Sequence, residues 1–185
     1  MLYPDLMLDL EYLAGVPDAI IVQIGAVPFD LTMGNYDPEV VLSLNVSIDE
    51  QVRAGRKIDA RTLEWWMGQA ALKGVPPWFK DPLPVRKALE TLSDFVEDTT
   101  DPRKVRVWGH MNCDQSKMGE IFAKNLMKLP WHPKNEHHIS TLVYLSGVNP
   151  PKHQQSDHEA VNDCIRQVGY CHKCWKALRS RPESS

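Results

Sequence analysis

The chain has 185 residues, 43% of them hydrophobic and six of them Trp, enough apolar material to bury a sizeable core, which sets aside a disordered or fibrous polypeptide. A formal net charge of −3 excludes a globally basic surface that would hold nucleic acid by charge alone, though not an acidic site that recruits divalent cations to a phosphodiester. The four Cys at 113, 164, 171 and 174 do not form a disulfide framework, no stretch approaches 18 apolar residues, and no basic segment precedes an apolar one at the start. The expectation is a single domain over 1–185, with an ordered core from about 6 to 178, working in the reducing cytoplasm and away from membranes.

Residues 6–30 read as two buried strands. Met7, Leu8 and Leu10 flank Asp9, and Glu11 follows two positions later, so on a strand both carboxylates point to one face, roughly 7 Å apart. Two like charges on a half-buried face raise each other's pKa unless a metal ion or a basic side chain joins them, and no Lys or Arg lies nearby in sequence. The same D-x-E pattern also describes the solvated face of an edge strand, and only partner acids later in the chain decide between the two. Residues 19–29 form the second strand, with Gly25 allowing close backbone approach. Residues 32–38 read as a hairpin turn and 40–48 as a third strand.

Asp59 is placed to cap a helix in which Leu63, Trp66, Met67 and Ala70 share one stripe, so Trp66 is core and Trp65 is rotated away, a candidate platform for a nucleobase. The Pro-rich stretch 74–84 ends it. Val85, Ala88, Leu89, Leu92 and Phe95 mark a second amphipathic helix. A short strand over 105–108 leads into a third helix with Met118, Ile121, Phe122 and Leu129 inward. Asp114 stands where that strand hands over to its helix, a place where α/β sheets bind ligands and also where an N-cap would sit. Residues 135–145 form a short element of ambiguous type, and 148–155 a polar, Pro-rich loop that is either a flap or a surface connection. The last helix opens on Ser156-Asp157-His158-Glu159, spaced as a capping box, and runs along Val161, Cys164, Ile165, Val168, Cys171, Trp175 and Leu178 to Arg181, with His158 in its first turn and Asp163 five residues on. Cys171 and Cys174 match C-x-x-C, but a second ligand pair at zinc-finger spacing is missing and Cys171 lies on the apolar stripe.

In chain order this gives D-x-E on the first strand, an Asp after a later strand, and H-x4-D on the last helix. Four carboxylates and an imidazole suit two-metal hydrolysis of a phosphodiester, with hard oxygen ligands holding Mg²⁺ or Mn²⁺ and the His taking a proton from the attacking water. With these residues the chain resembles the DEDDh family of 3'-5' exonucleases: Asp9 and Glu11 in LDLEY match its first motif, Asp114 in WGHMNCD its second, His158 and Asp163 in HEAVND its third. The branch of phage exodeoxyribonucleases and a bacterial 3'-5' exoribonuclease is similar through AIIVQIGAVPFD, through IDARTLEWWMGQ and through VWG. The resemblance implies an α/β, RNase H-like fold, a mixed five-stranded sheet flanked by helices. It implies that Asp9, Glu11 and Asp163 hold a first Mg²⁺ or Mn²⁺, that Asp9 with Asp114 through water holds a second, that His158 is the general base, and that Leu10 lies against the terminal nucleotide. The partner would be the 3' end of single-stranded DNA or RNA, and the compact chain would be a phage-encoded enzyme in a bacterial cytoplasm. His110, just before Asp114, and His153, in the candidate flap, are further candidates for contact with substrate or proton.

Two departures stand out. Tyr12 replaces a common Thr, and His137-His138-Ile139-Ser140-Thr141 replaces an Arg-Asp-x-Arg-Thr segment that anchors substrate. Two other readings stay open: a catalytically idle member of the fold that binds nucleic acid or a protein, and a nucleotide or oligonucleotide hydrolase of the same chemistry.

Overall fold

A run of apolar residues interrupted by acids makes the first strand, β1 (Asp5–Tyr12), which is buried along nearly its whole length. Strand β2 (Ile21–Phe29) is buried throughout and pairs with it antiparallel. In the computed structural model, which describes residues 2–110, 112–149 and 158–180, the strands β3 (Leu42–Asn45), β4 (Arg106–Gly109) and β5 (Glu136–His138) complete a mixed sheet in the order β3-β2-β1-β4-β5. β4 runs parallel to β1 and β5 parallel to β4. Parallel neighbours demand crossover connections, and these are helical: α2 (Ala60–Lys73) and α3 (Val85–Thr99) lie between β3 and β4, and α4 (Asn112–Lys124) between β4 and β5. This is the expected α/β architecture of a five-stranded sheet flanked by helices.

The period-two alternation of β1 divides the core. Leu6, Leu8 and Leu10 face Leu89, Leu92, Val96, Met118 and Phe122 on one side of the sheet. Met7 faces α5 (Ile139–Ser146) and α6 (Ala160–Arg179) on the other, through Ile139, Leu142, Val161, Cys164 and Val168. Burying each large aliphatic chain contributes about 1.5–3 kcal/mol, so the two layers hold β1 from both faces. Asp5, also fully buried on β1, is compensated: Arg106 Nε and Nη2 donate to its two oxygens at 2.7 Å each, Trp108 Nε1 donates at 2.8 Å and the Leu31 amide at 3.0 Å.

Several boundaries differ from expectation. The third strand stops at Asn45, because Ser47 caps an unexpected short helix, α1 (Ile48–Arg53). In α2 the cap is as expected, Asp59 Oδ1 accepting from the amides of Arg61 and Thr62, yet only Trp66 is buried, in a small cluster with Leu13, Ile20, Val22 and Trp78, while Leu63 and Met67 are exposed. Leu129 lies beyond the end of α4 and packs on the core from the following loop. The ambiguous segment resolves into β5 followed by α5, which Gly147 closes in a left-handed conformation. Helix α6 starts at Ala160 with Glu159 at the N-cap, so His158 precedes the helix; Ser156, most of the candidate flap and Arg181 lie outside the described residues. Cys171 and Cys174 are free thiols buried in the core. No described helix is long and apolar enough to cross a membrane.

The start of α6 rests on β2 with backbone against backbone. A Cβ built on Gly25 would lie 2.4 Å from the carbonyl carbon of Ala160 and 2.5 Å from the nitrogen of Val161. Gln23, two residues away, receives the Ala160 amide on its Oε1 at 2.8 Å and caps the helix from across the interface. Gly25→Ala should therefore push α6 off the sheet at a cost of about 1–3 kcal/mol, seen in thermal melts as a loss of ~2–4 °C per kcal/mol. An unchanged Tm would show that the helix does not depend on this approach.

Candidate active site

The contact at Gly25 sets the site. On β1, Asp9 pairs with Gly25 and Glu11 with Gln23, so the strand positions opposite both acids are those against which α6 is pressed. The first turn of α6 brings Asp163, the residue before its cap is His158, and the first turn of α4 supplies Asp114 at the carboxyl end of β4. Asp9 and Glu11 are 9% exposed, Asp163 8% and Asp114 5%, which removes the edge-strand reading: these are buried carboxylates. One ligand atom each from Glu11, His158 and Asp163 lies within 4.8 Å of the others.

Electrostatics follow from that crowding. Burial, and then the charges of Asp114, Glu11 and Asp163, hold the Asp9 carboxyl well above the usual carboxylate range; the amide of Gln167, donating to Oδ1 at 2.7 Å, opposes the rise. Burial pushes Asp114 up to about 7, against the pull of the Lys117 ammonium and of the His110 backbone N–H. Lys117 is itself fully buried, its Nζ 3.8 Å from the centre of the Tyr12 ring and 3.3 Å from the Cys113 carbonyl, and burial lowers its pKa. Tyr12 thus packs on a cation next to the acids. Asp163 pairs with Arg166 Nη2 at 2.6 Å.

His158 adopts a φ of 58°, a left-handed conformation uncommon for a residue with a side chain. Its ring meets Trp65 edge to face at 4.6 Å and Trp66 at 6.0 Å, and Trp66 in turn meets Trp78 at 5.3 Å. Trp66 Nε1 donates to the Tyr12 carbonyl, tying the aromatic group to the end of β1. The imidazole is therefore set against an aromatic wall.

The fold thus gathers Asp9, Glu11, Asp114, His158 and Asp163. Trp65 borders them, 42% exposed. Leu10 is 3% exposed in the core on the opposite face of the sheet, so its side chain is a packing group and any contact with substrate there falls to its backbone. The His110 ring is 3.2 Å from the Tyr170 hydroxyl, while its backbone reaches Asp114. His137 stacks on Trp108 at 4.8 Å, beside the structural acid Asp5, and His153 lies outside the described residues. Sequence reasoning missed Lys117, Arg166 and Gln167, which lie three or four residues after Asp114 or Asp163; helical periodicity, which puts such positions on the face of the acid, was the available signal.

The donor set fits Mg²⁺ or Mn²⁺. Hard carboxylate oxygens dominate, their burial places like charges close together, and the thiols of Cys171 and Cys174, which would favour softer metals, are elsewhere.

Comparison with known proteins bears on the fold and the family. Structurally, the chain is similar to the RNase domain of yeast Pop2 (TM-score 0.60, 13% identity, covering 100% of this chain and 81% of that one). It is also similar to S. pombe Pop2p in a Mg²⁺- and Mn²⁺-bound form (TM-score 0.55, 14% identity, 97% and 84%). A third likeness is to cell-death related nuclease 4, CRN-4 (TM-score 0.51, 11% identity, 93% and 64%), so the chain spans less than two thirds of that protein's length. At such identities these likenesses establish the fold, that of RNase H-like nucleases. The comparison with curated proteins finds no significant match, and the expected phage branch finds no support. Residues 4–175, which include all five gathered side chains, match the model of one sequence family, and the chain accordingly belongs to the Rv2179c-like 3'-5' exoribonuclease domain family, within the DEDD-type nucleases.

Proposed function

We propose that the chain is a metal-dependent 3'-5' exonuclease that shortens single-stranded nucleic acid, RNA foremost, and releases nucleoside 5'-monophosphates by two-metal-ion hydrolysis with His158 as general base. The observation that carries this reading is the convergence of four buried carboxylates and one imidazole from β1, α4 and the entry to α6. Family membership supports the choice of RNA and of the 3' end. The presence of all five groups speaks against an idle binding module.

In this reading Asp9, Glu11 and Asp163 would hold one ion, and Asp9 with Asp114 the other. Mg²⁺ or Mn²⁺ there would polarise the phosphodiester and acidify the attacking water. His158, beside Glu11 and Asp163, accepts the water's proton. Trp65, partly exposed against the His158 ring, offers a stacking surface to the terminal base.

The decisive assay incubates the protein with 5'-labelled single-stranded RNA and DNA under Mg²⁺, Mn²⁺ or EDTA. Products should shorten from the 3' end with either metal, faster on RNA, and a 3'-phosphate should block them. Full turnover in EDTA, or in Asp9→Ala, would sink the two-metal reading.

The acid cluster also predicts how the metal-free protein responds to pH. Asp114 titrates at about 7 when folded, above its ordinary 3.8, so the fold favours its protonated form; that contribution is present below about pH 4 and is lost as pH rises through 7. Asp114→Asn, neutral at every pH, should melt progressively higher than wild type in EDTA as pH goes from 4 to 8. A constant difference across that range would mean that Asp114 is not held protonated.

The two roles beside the metals separate kinetically. Trp65→Ala should raise KM roughly 5- to 150-fold, the equivalent of about 1–3 kcal/mol of stacking. His158→Ala should lower kcat by roughly 10²–10⁴ and flatten the rise of activity between about pH 6 and 8. An unchanged kcat and pH profile in His158→Ala would assign the proton to another group.

A further inference from the structure

The amide of Gln167 has one occupied end and one orphaned end. Gln167 is 5% exposed and follows Asp163 by four residues on α6, so it shares the face that looks onto β1. Its Nε2 donates to Asp9 Oδ1 at 2.7 Å, joining two residues 158 apart in sequence. The amide is seated with its N–H toward the acid and its carbonyl turned away from it. Oε1 is then left buried without a partner among the described residues.

A bond that served only to strap α6 to β1 would not be built this way. A buried acceptor without a donor destabilises the fold, and an apolar side chain of the same length would pack there without that penalty. The polarity of Gln167 is therefore of use to Asp9 rather than to the helix. We propose that Gln167 is a positioning residue for metal binding: by holding Oδ1 it fixes the plane of the Asp9 carboxylate, and it leaves an amide carbonyl in the buried site ready for a donor that arrives with the cation. This rests on the metal reading proposed above. Groups that orient a ligating carboxylate typically change metal affinity 10- to 100-fold when removed.

Gln167→Met preserves length and removes both polar atoms. In EDTA it should stay folded and melt close to wild type, because the orphaned carbonyl is gone while Asp9 Oδ1 loses its donor. Mn²⁺ titration calorimetry should nevertheless show binding weakened 10- to 100-fold. Turnover should fall at limiting Mn²⁺ and recover at high Mn²⁺, with KM for RNA unchanged. Gln167→Asn, polar but one methylene too short to reach Asp9, should behave like the Met variant in calorimetry and covers the case in which Met fails to fold. If wild type binds Mn²⁺ and either folded variant binds it equally tightly, Gln167 does not position Asp9 and the proposal is overturned while the metal reading stands. Wild type that binds no Mn²⁺ would overturn both.

Discussion

The backbone contact between Gly25 and the start of α6 is the constraint on which the rest of the structure depends. A helix normally stands off a sheet by the length of the side chains between them; here the missing Cβ lets Ala160 and Val161 settle directly over β2. Because Gly25 and Gln23 are the partners of Asp9 and Glu11, the close approach occurs beside the acids and brings Asp163 and His158 within reach of them. Gln23 holds the arrangement by capping α6 through Ala160 and by donating to Asn45 Oδ1 at 3.0 Å. Asn45 in turn donates to the carbonyls of Pro77 and Lys80, on either side of Trp78, so the entry of α6 and the aromatic wall share one hydrogen-bonded support.

Two buried aspartates on one strand show the difference between a structural and a functional acid. Asp5 has an arginine, an indole and a backbone amide around its two oxygens. Asp9, four residues on, has the amide of Gln167 and a set of other acids, which leaves its ionised form disfavoured. Crowded buried acids whose charges raise one another's pKa mark functional sites more often than structural ones.

The aromatic groups have a supporting part. Trp66 anchors to the backbone of Tyr12, Trp78 packs behind it, and His158, in a left-handed conformation, is held at the edge of both Trp65 and Trp66. Local strain of this kind persists where surroundings determine the geometry. The six tryptophans counted at the outset are thus not all core filling: Trp65 and Trp66 bound the site itself.

Much of this was legible in the chain. Period two put Asp9 and Glu11 on one face of β1, hydrophobic spacing found α3 and α6, and the order of the motifs pointed to the five residues that converge. These features are local, or repeat along the chain, and need no knowledge of what packs where. Tertiary contacts decided the rest. Leu63 and Met67 fit a helical stripe yet lie exposed, since whether α2 finds a partner for that stripe depends on the sheet and not on the helix. His158 precedes α6 because Gln23, 137 residues before Ala160, provides the cap that begins it. Gln167 is one polar residue among many on a long helix until the Gly25 contact lays that helix over Asp9; proximity across such a gap in sequence is a property of the packed chain and is written in no single segment of it.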